Sequence, residues 1–264
     1  MKKKIKNISP ETILVEYNNL KLKNSIVIQG VHGIGRVGQL AVSYILRQKE
    51  PKKLLEFYSG YMGNFLLLTD RGRAVLPSYE VYHFKDNDQD YIIIYSDAPF
   101  QAFPEKGNFE LAYLIFQEIY KRYKPSLIVT MGGIMVGQEE EPENVYYLTN
   151  SNDLDKRLKD LKIESLSPSP RTMQVVGFTG VLHGLATIYE IESVCFLAEV
   201  LYEIGDMKAT KRVLEVLNKL FDFKLNMKEI EEELKREEEE LQKILTKTEE
   251  ILKKIKSTRD SYRI

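Results

Sequence analysis

Ser25-Ile26-Val27-Ile28-Gln29-Gly30, followed by Val31-His32-Gly33-Ile34-Gly35-Arg36-Val37-Gly38 and then Gln39 to Arg47, is the stretch on which the fold turns. It reads as a buried strand, a glycine turn and a helix. Gly33, Gly35 and Gly38 match the G-x-G-x-x-G spacing that brings a backbone close to a dinucleotide pyrophosphate. Glu56 ends a strand-like run near the distance expected of a ribose-binding acid. A tight strand-to-helix crossover favours glycine at the same positions simply because backbones pack closely there. The next segments favour packing. Residues 65–68 and 74–84 are joined by Thr69-Asp70-Arg71-Gly72-Arg73, a hairpin signal foreign to a separated Rossmann half.

Composition narrows the classes. The 264 residues suffice for one large domain, or one domain with an appendage. Thirty-eight Lys and Arg balance 39 Asp and Glu, for a formal net charge of −1, which gives no reason to expect a nucleic acid or an anionic membrane as partner. The start, Lys2-Lys3-Lys4, lacks the apolar core of a signal peptide, and no apolar run approaches the ~18 residues of a spanning helix. The single cysteine, Cys195, excludes an intrachain disulfide and any multi-cysteine metal site; between Val194 and Phe196 it reads as a small buried hydrophobe. A cytoplasmic protein is expected.

Residues 1–225 carry an α/β pattern. Strand-like runs at 13–17, 25–29, 54–58, 65–68, 74–84, 91–96, 127–131 and 145–148 alternate in part with helix-period segments at 37–47, 108–122 and 152–161. The runs 25–29, 91–96 and 127–131 are apolar on both faces, as strands covered by helices on both sides should be. Lys124-Pro125 ends the second helix sharply. An extended run at 174–176 reads as a further strand, and Gly177 opens a helix to about Ile188. Residues 193–203 and 207–220 read as two amphipathic helices, with Gly205 as a left-handed cap between them and Asp206 as an N-cap. From residue 226 the composition turns to Glu, Lys, Leu and Ile. Ile230, Leu234, Leu241, Ile244, Ile251 and Ile255 follow a heptad seam that Glu237 and Thr248 interrupt. A helical, coiled-coil-like arm is expected over 226–258, packed along another helix, with a flexible tail at 259–264.

Catalytic patterns are sparse. His32, His83 and His183 show no H-x-x-x-H spacing, although His32 and His183 both neighbour glycines at helix starts. There is no G-x-S-x-G elbow and no P-loop. The run Glu139-Glu140-Glu141-Pro142-Glu143 crowds like charges, where cation loops alternate ligands with turn residues, and reads as a solvated loop. No catalytic residue, metal or cofactor is expected. The competing expectation is a nucleotide- or nucleoside-binding enzyme whose cleft is lined by the glycines of 33–38, 132–133 and 177–184.

Three glycine signatures and a helical tract occur in a telling order: Gly33-Ile34-Gly35-Arg36-Val37-Gly38 after the first core strand, Gly132-Gly133 after 127–131, then Gly177-Phe178-Thr179-Gly180-Val181-Leu182-His183-Gly184, then 193–220. In order and spacing the chain resembles the proteasome assembly chaperone family over residues 8–235. The resemblance implies a three-layer α/β/α core with a mostly parallel mixed sheet, similar to nucleoside phosphorylases but without their catalysis. It also implies a homo-oligomer of a few subunits that binds α-subunits of the 20S proteasome. Several relatives dock a C-terminal hydrophobic-Tyr-any tripeptide between α-subunits. Here Tyr262 stands third from the end and follows Ser261, so Tyr262-Arg263-Ile264 is a displaced version of that tail. A scaffold for some other protein partner is the remaining reading.

Overall fold

Ile26 to Gln29 lie at the centre of the molecule because β3 (Ser25–Gly30) is hydrogen-bonded in parallel along both edges, to β8 (Gln89–Tyr95) on one side and β9 (Pro125–Met135) on the other. The computed structural model describes residues 3–63, 65–68, 72–98, 105–137, 141–166, 174–201 and 205–236. Among them, ten strands form one mixed sheet. Outward from β3 and β8 it continues through β7 (Tyr79–Asp86), β4 (Lys52–Ser59), β2 (Thr12–Glu16) and β1 (Lys4–Ser9), all antiparallel. On the other side, β12 (Glu192–Val200) runs parallel to β9, followed by antiparallel β10 (Val145–Thr149) and a short parallel β11 (Glu164–Ser165). The parallel strands thus form the middle of the sheet, with a four-stranded antiparallel wing at one end. A separate hairpin, β5 (Leu67–Leu68) with β6 (Ala74–Val75), projects from the β4–β7 connection.

Helices make the outer layers. On one face α2 (Glu105–Tyr123) and α4 (Gly177–Ile188) enclose a core that includes Val27, Phe57, Tyr79, Ile92, Phe116 and Phe178, with the Tyr79 and Phe178 rings stacked at 5.0 Å. On the other face, α1 (Val37–Lys49) packs on β3, β8 and β9, and α5 (Met207–Phe221) packs on α1, β10 and β12. α3 (Asn152–Asp160) is capped by Ser151, whose hydroxyl accepts from the Leu154 amide. α5 is capped by Asp206, whose carboxylate accepts from Ala209 N–H at 2.8 Å. Asp206→Ala is expected to cost about 1 kcal/mol and lower the melting midpoint by roughly 2–4 °C; an unchanged midpoint would show that the cap is dispensable.

Several expectations need correction. Residues 193–203 do not form a helix: 192–200 is strand β12, and Ser193 to Val200 are all buried. A strand between β9 and β10 has all its backbone groups paired by neighbours, and that outweighs the helix preference of Ala198 and Glu199. Gly205 therefore does not separate two helices. Residues 174–176 are irregular, and 74–84 splits into β6 and β7 around a non-strand segment at 76–78. β1 was not anticipated, since its Lys-rich sequence lacks a buried alternation. Lys124 does end α2, in a left-handed conformation.

The chain divides into two compact units, Met1–Leu225 and Asn226–Ile264. In the second, α6 (227–236) begins at Asn226, whose side-chain oxygen accepts from Lys228 N–H at 3.3 Å.

Candidate functional site

The glycine signatures converge at the carboxyl ends of β3, β9 and β12, where α4 begins. A small cavity of about 130 Å³ lies there, lined by Gly33, Gly132, Gly133, Val175, Thr179 and Leu197 among others. That volume holds about four waters, far short of the several hundred Å³ of an ordinary ligand cleft. Its described lining includes no ionisable side chain.

Most of these glycines have a local reason. A Cβ on Gly30 would sit 2.3 Å from the Gly38 carbonyl and from Val42, and one on Gly38 would sit 2.8 Å from the Met131 carbonyl. β3, α1 and β9 therefore meet backbone to backbone. A Cβ on Gly133 would sit 2.5 Å from the Ile34 carbonyl oxygen, and one on Gly180 would sit 1.9 Å from the Val175 carbonyl oxygen. Gly35 and Gly177 have positive φ, as their turns require. Gly33 is extended and lines the cavity. Gly184 has open space above it. Of the G-x-G-x-x-G set, Gly38 thus serves a close strand–helix crossing, Gly35 serves a left-handed turn, and Gly33 lines the cavity.

The other sequence candidates do not assemble into a reaction centre. Burial, with some help from Arg36, lowers the His32 pKa, and burial alone lowers that of His183; neither lines the cavity. The Nδ1 of His183 is buried without a hydrogen-bond partner. Cys195 is fully buried and its thiol is pushed up to about 11 by burial, which removes it as a nucleophile near neutral pH. No group of three His, Cys, Asp or Glu side chains suited to a metal occurs among the described residues. Of the acidic run, Glu143 and its neighbour Asn144 donate backbone N–H groups to the buried Glu199 carboxylate, both at 2.9 Å. Glu139 and Glu140 lie outside the described residues.

A denser ionisable cluster lies on the antiparallel wing, where the sequence pointed only to Glu56. Register sets Glu56 directly opposite Glu80, with Lys53 reaching both. Lys53 Nζ is 3.3 Å from Glu56 Oε1 and also donates to Glu80. Tyr17 and Ser78 donate to Glu56, and Tyr82 donates to Glu80. Lys53 also lies over the faces of the Tyr17 and Tyr82 rings, at 5.5 and 5.6 Å. Burial pushes the Glu56 carboxyl up, but the Tyr17 hydrogen bond and the Lys53 charge outweigh it and hold the group below the usual range. At Glu80 burial wins over the same lysine and the carboxyl titrates above that range. Two carboxylates thus share one cation in a partly buried setting, which ties β4 to β7 at this point of the sheet. No signal short of strand register would have brought Glu56 and Glu80 together.

Of the arm residues, Ile230 is buried and Leu234 half-buried. Leu241, Ile244, Ile251 and Ile255, with Tyr262, Arg263 and Ile264, lie outside the described residues.

A model of the PAC2 family matches residues 27–245. An uncharacterized protein of Methanocaldococcus jannaschii is 30% identical over 236 residues, covering 88% of this chain and 83% of that protein. Among solved structures, Pyrococcus furiosus PbaB, described as an archaeal proteasome activator, matches with a TM-score of 0.80 at 28% identity, covering 89% of this chain and 99% of that one. Pyrococcus furiosus PbaA, described as an archaeal homolog of proteasome-assembly chaperone, matches in its monoclinic form with a TM-score of 0.76 at 22% identity, covering 96% and 100%. The PbaA likeness is one of fold.

Proposed function

Because the chain belongs to the PAC2 family, we propose that it is a non-enzymatic assembly factor that acts by binding other polypeptides, namely further copies of itself and the α-subunits of the 20S proteasome. The observation that carries this reading is the likeness to PbaB over nearly the whole of both chains, at 28% identity. The proteasome is the partner named for PbaB as an activator and, through its chaperone homology, for PbaA. The site chemistry agrees with the reading. Gly38, Gly133 and Gly180 leave no room for a Cβ beside neighbouring backbone carbonyls, and the one thiol is buried and protonated.

In this reading residues 1–225 form the body, 226–258 a helical arm whose seam of Ile230, Leu234, Leu241, Ile244, Ile251 and Ile255 packs on another helix, and 259–264 a docking tail presenting Tyr262-Arg263-Ile264. The protein works in the cytoplasm. An aromatic anchor on an extended segment suits capture in a pocket between subunits, and several tails on one oligomer raise avidity by effective concentration.

The test is capture of purified proteasome α-subunits by the full chain and by a chain ending at residue 256. The full chain is expected to capture them, and the shortened one to lose at least tenfold in affinity. Capture by neither removes the proposal, and equal capture by both removes the role of the tail. Adding the protein to assembled 20S particles separates activation from assembly: a rise in peptide hydrolysis without any change in α-subunit assembly favours an activator.

A further inference from the structure

We propose that two copies of this chain associate through the open face of the antiparallel wing and the β5–β6 hairpin beside it. The inference rests on the self-association put forward above and names its surface. Strand register puts Ile5, Val15 and Glu56 on one face of the wing, together with Ile13 and Tyr58, while Leu14, Phe57 and Tyr79 point to the opposite face and join the α2–α4 core. The first face meets α1 near β8, where Tyr95, directly opposite Glu80, bonds Ser43, and it is still covered at Val15 and Glu56. Farther out it is open: Ile13 is exposed and Ile5 is 68% exposed.

The hairpin adds Leu66, Leu68, Val75 and Leu76, all exposed, with Leu68 at 81%. Together with Ile5 and Ile13 these side chains offer on the order of 400 Å² of apolar surface, within the roughly 300–600 Å² of a monomer's largest patch, which is often functional. A standard interface covers about 800 Å² on each partner, a little over half of it apolar. The patch therefore supplies the apolar share that one protomer of a dimer contributes.

Shape points to a second copy as the occupant. A groove of about 420 Å³ runs between hairpin and sheet, walled by Ile13, Tyr58, Leu66 and Leu76. Projecting leucines and a receiving groove on the same patch are what a two-fold axis requires, since each copy then fills the other. A formal charge of −1 leaves little repulsion between copies. The sheet edges are worse candidates. β1 carries Lys4 and Lys6, and β11 is two residues long, both of which discourage edge-to-edge pairing.

The test is molar mass in solution by light scattering, on the full chain and its variants. Leu66→Asp combined with Leu76→Asp places charge on side chains already in water, and Leu68→Glu is an independent second variant should the first fail to fold. Phe109→Asp, on the exposed surface of α2, is the control. The unaltered chain is expected to exceed 30.7 kDa by an integral factor of at least two. The hairpin variants should lose that factor with unchanged melting, and the control should keep it. A monomeric parent chain, hairpin variants that keep the parent mass, or a control that dissociates would each overturn the proposal. α-subunit capture is read on the same variants. Capture that survives dissociation leaves the proposed function standing, whereas loss of capture at unchanged mass assigns this face to the α-subunit and rejects self-association through it.

Discussion

Gly30→Ala is expected to destabilise the protein by about 3 kcal/mol, at the upper end for an added methyl in a packed core, and to lower the melting midpoint by roughly 6–12 °C. The new Cβ would stand 2.3 Å from the Gly38 carbonyl oxygen and 2.3–2.4 Å from two atoms of Val42. None of these is the far end of a flexible side chain. Relief requires α1 to lift off β3, and α1 is held on its other side by α5. Gly38 leaves little room for that movement, because even a Cβ there would sit 2.8 Å from the Met131 carbonyl oxygen of β9. Gly184→Ala is the matched comparison. It lies within α4 with nothing within 4 Å of the added atom, so it should be neutral or stabilise by about 0.5–1 kcal/mol through helix propensity. Thermal unfolding of the two variants checks the pair. Equal midpoints would mean that the early glycines are not packing residues, and would reopen the ligand reading of Gly33, Gly35 and Gly38.

Lys53→Met is expected to cost about 3–5 kcal/mol at pH 8, the range for leaving buried charge unpaired. Lys53 is the cation between Glu56, 6% exposed, and Glu80, which faces it across the β4–β7 pair. Without it two carboxylates confront each other in a buried setting, and both folded-state pKa values move up. A carboxyl whose folded pKa lies above its unfolded value, about 4.3 for glutamate, favours the native state below that unfolded value. The advantage is lost as pH rises through the folded value. Glu80 already titrates above the usual range in the unaltered protein because burial outweighs Lys53. Glu56 has the opposite sign: its folded pKa lies below the usual range, so its contribution is present above the unfolded value and fades as pH falls toward the folded one. The deficit of Lys53→Met relative to the parent chain should therefore be full at pH 8 and shrink markedly by pH 4.5. Melting curves at both pH values decide it. A deficit independent of pH would mean that Lys53 acts through its aliphatic stem on Tyr17 and Tyr82 and not through its charge.

Much of the local structure is legible in the amino-acid order. The apolar run 25–29 is β3, the periodic segment from Val37 is α1, Asp206 caps α5, and Gly177 opens α4. These elements follow from neighbours within a few residues: side-chain period, a capping carboxylate, a proline after Lys124 that cannot continue a helix. The family likeness is likewise legible, because it rests on the order of glycine signatures along the chain.

Residues 193–200 show where such reasoning stops. Leu197, Ala198 and Glu199 suit a helix while Val194, Phe196 and Val200 suit a strand, and pairing with β9 and β10 decides for the strand. The glycines mark a second limit. Their spacing announces that a backbone comes close at 33–38, but not that the approaching group is the next strand rather than a phosphate. The pairing of Glu56 with Glu80 and the exposure of Ile5 and Ile13 on a face left open depend on the register of strands far apart in the chain. Short-range chemistry thus settles which segments are helices, turns and most of the strands. Long-range packing sets what lies above each glycine and which sheet face meets water.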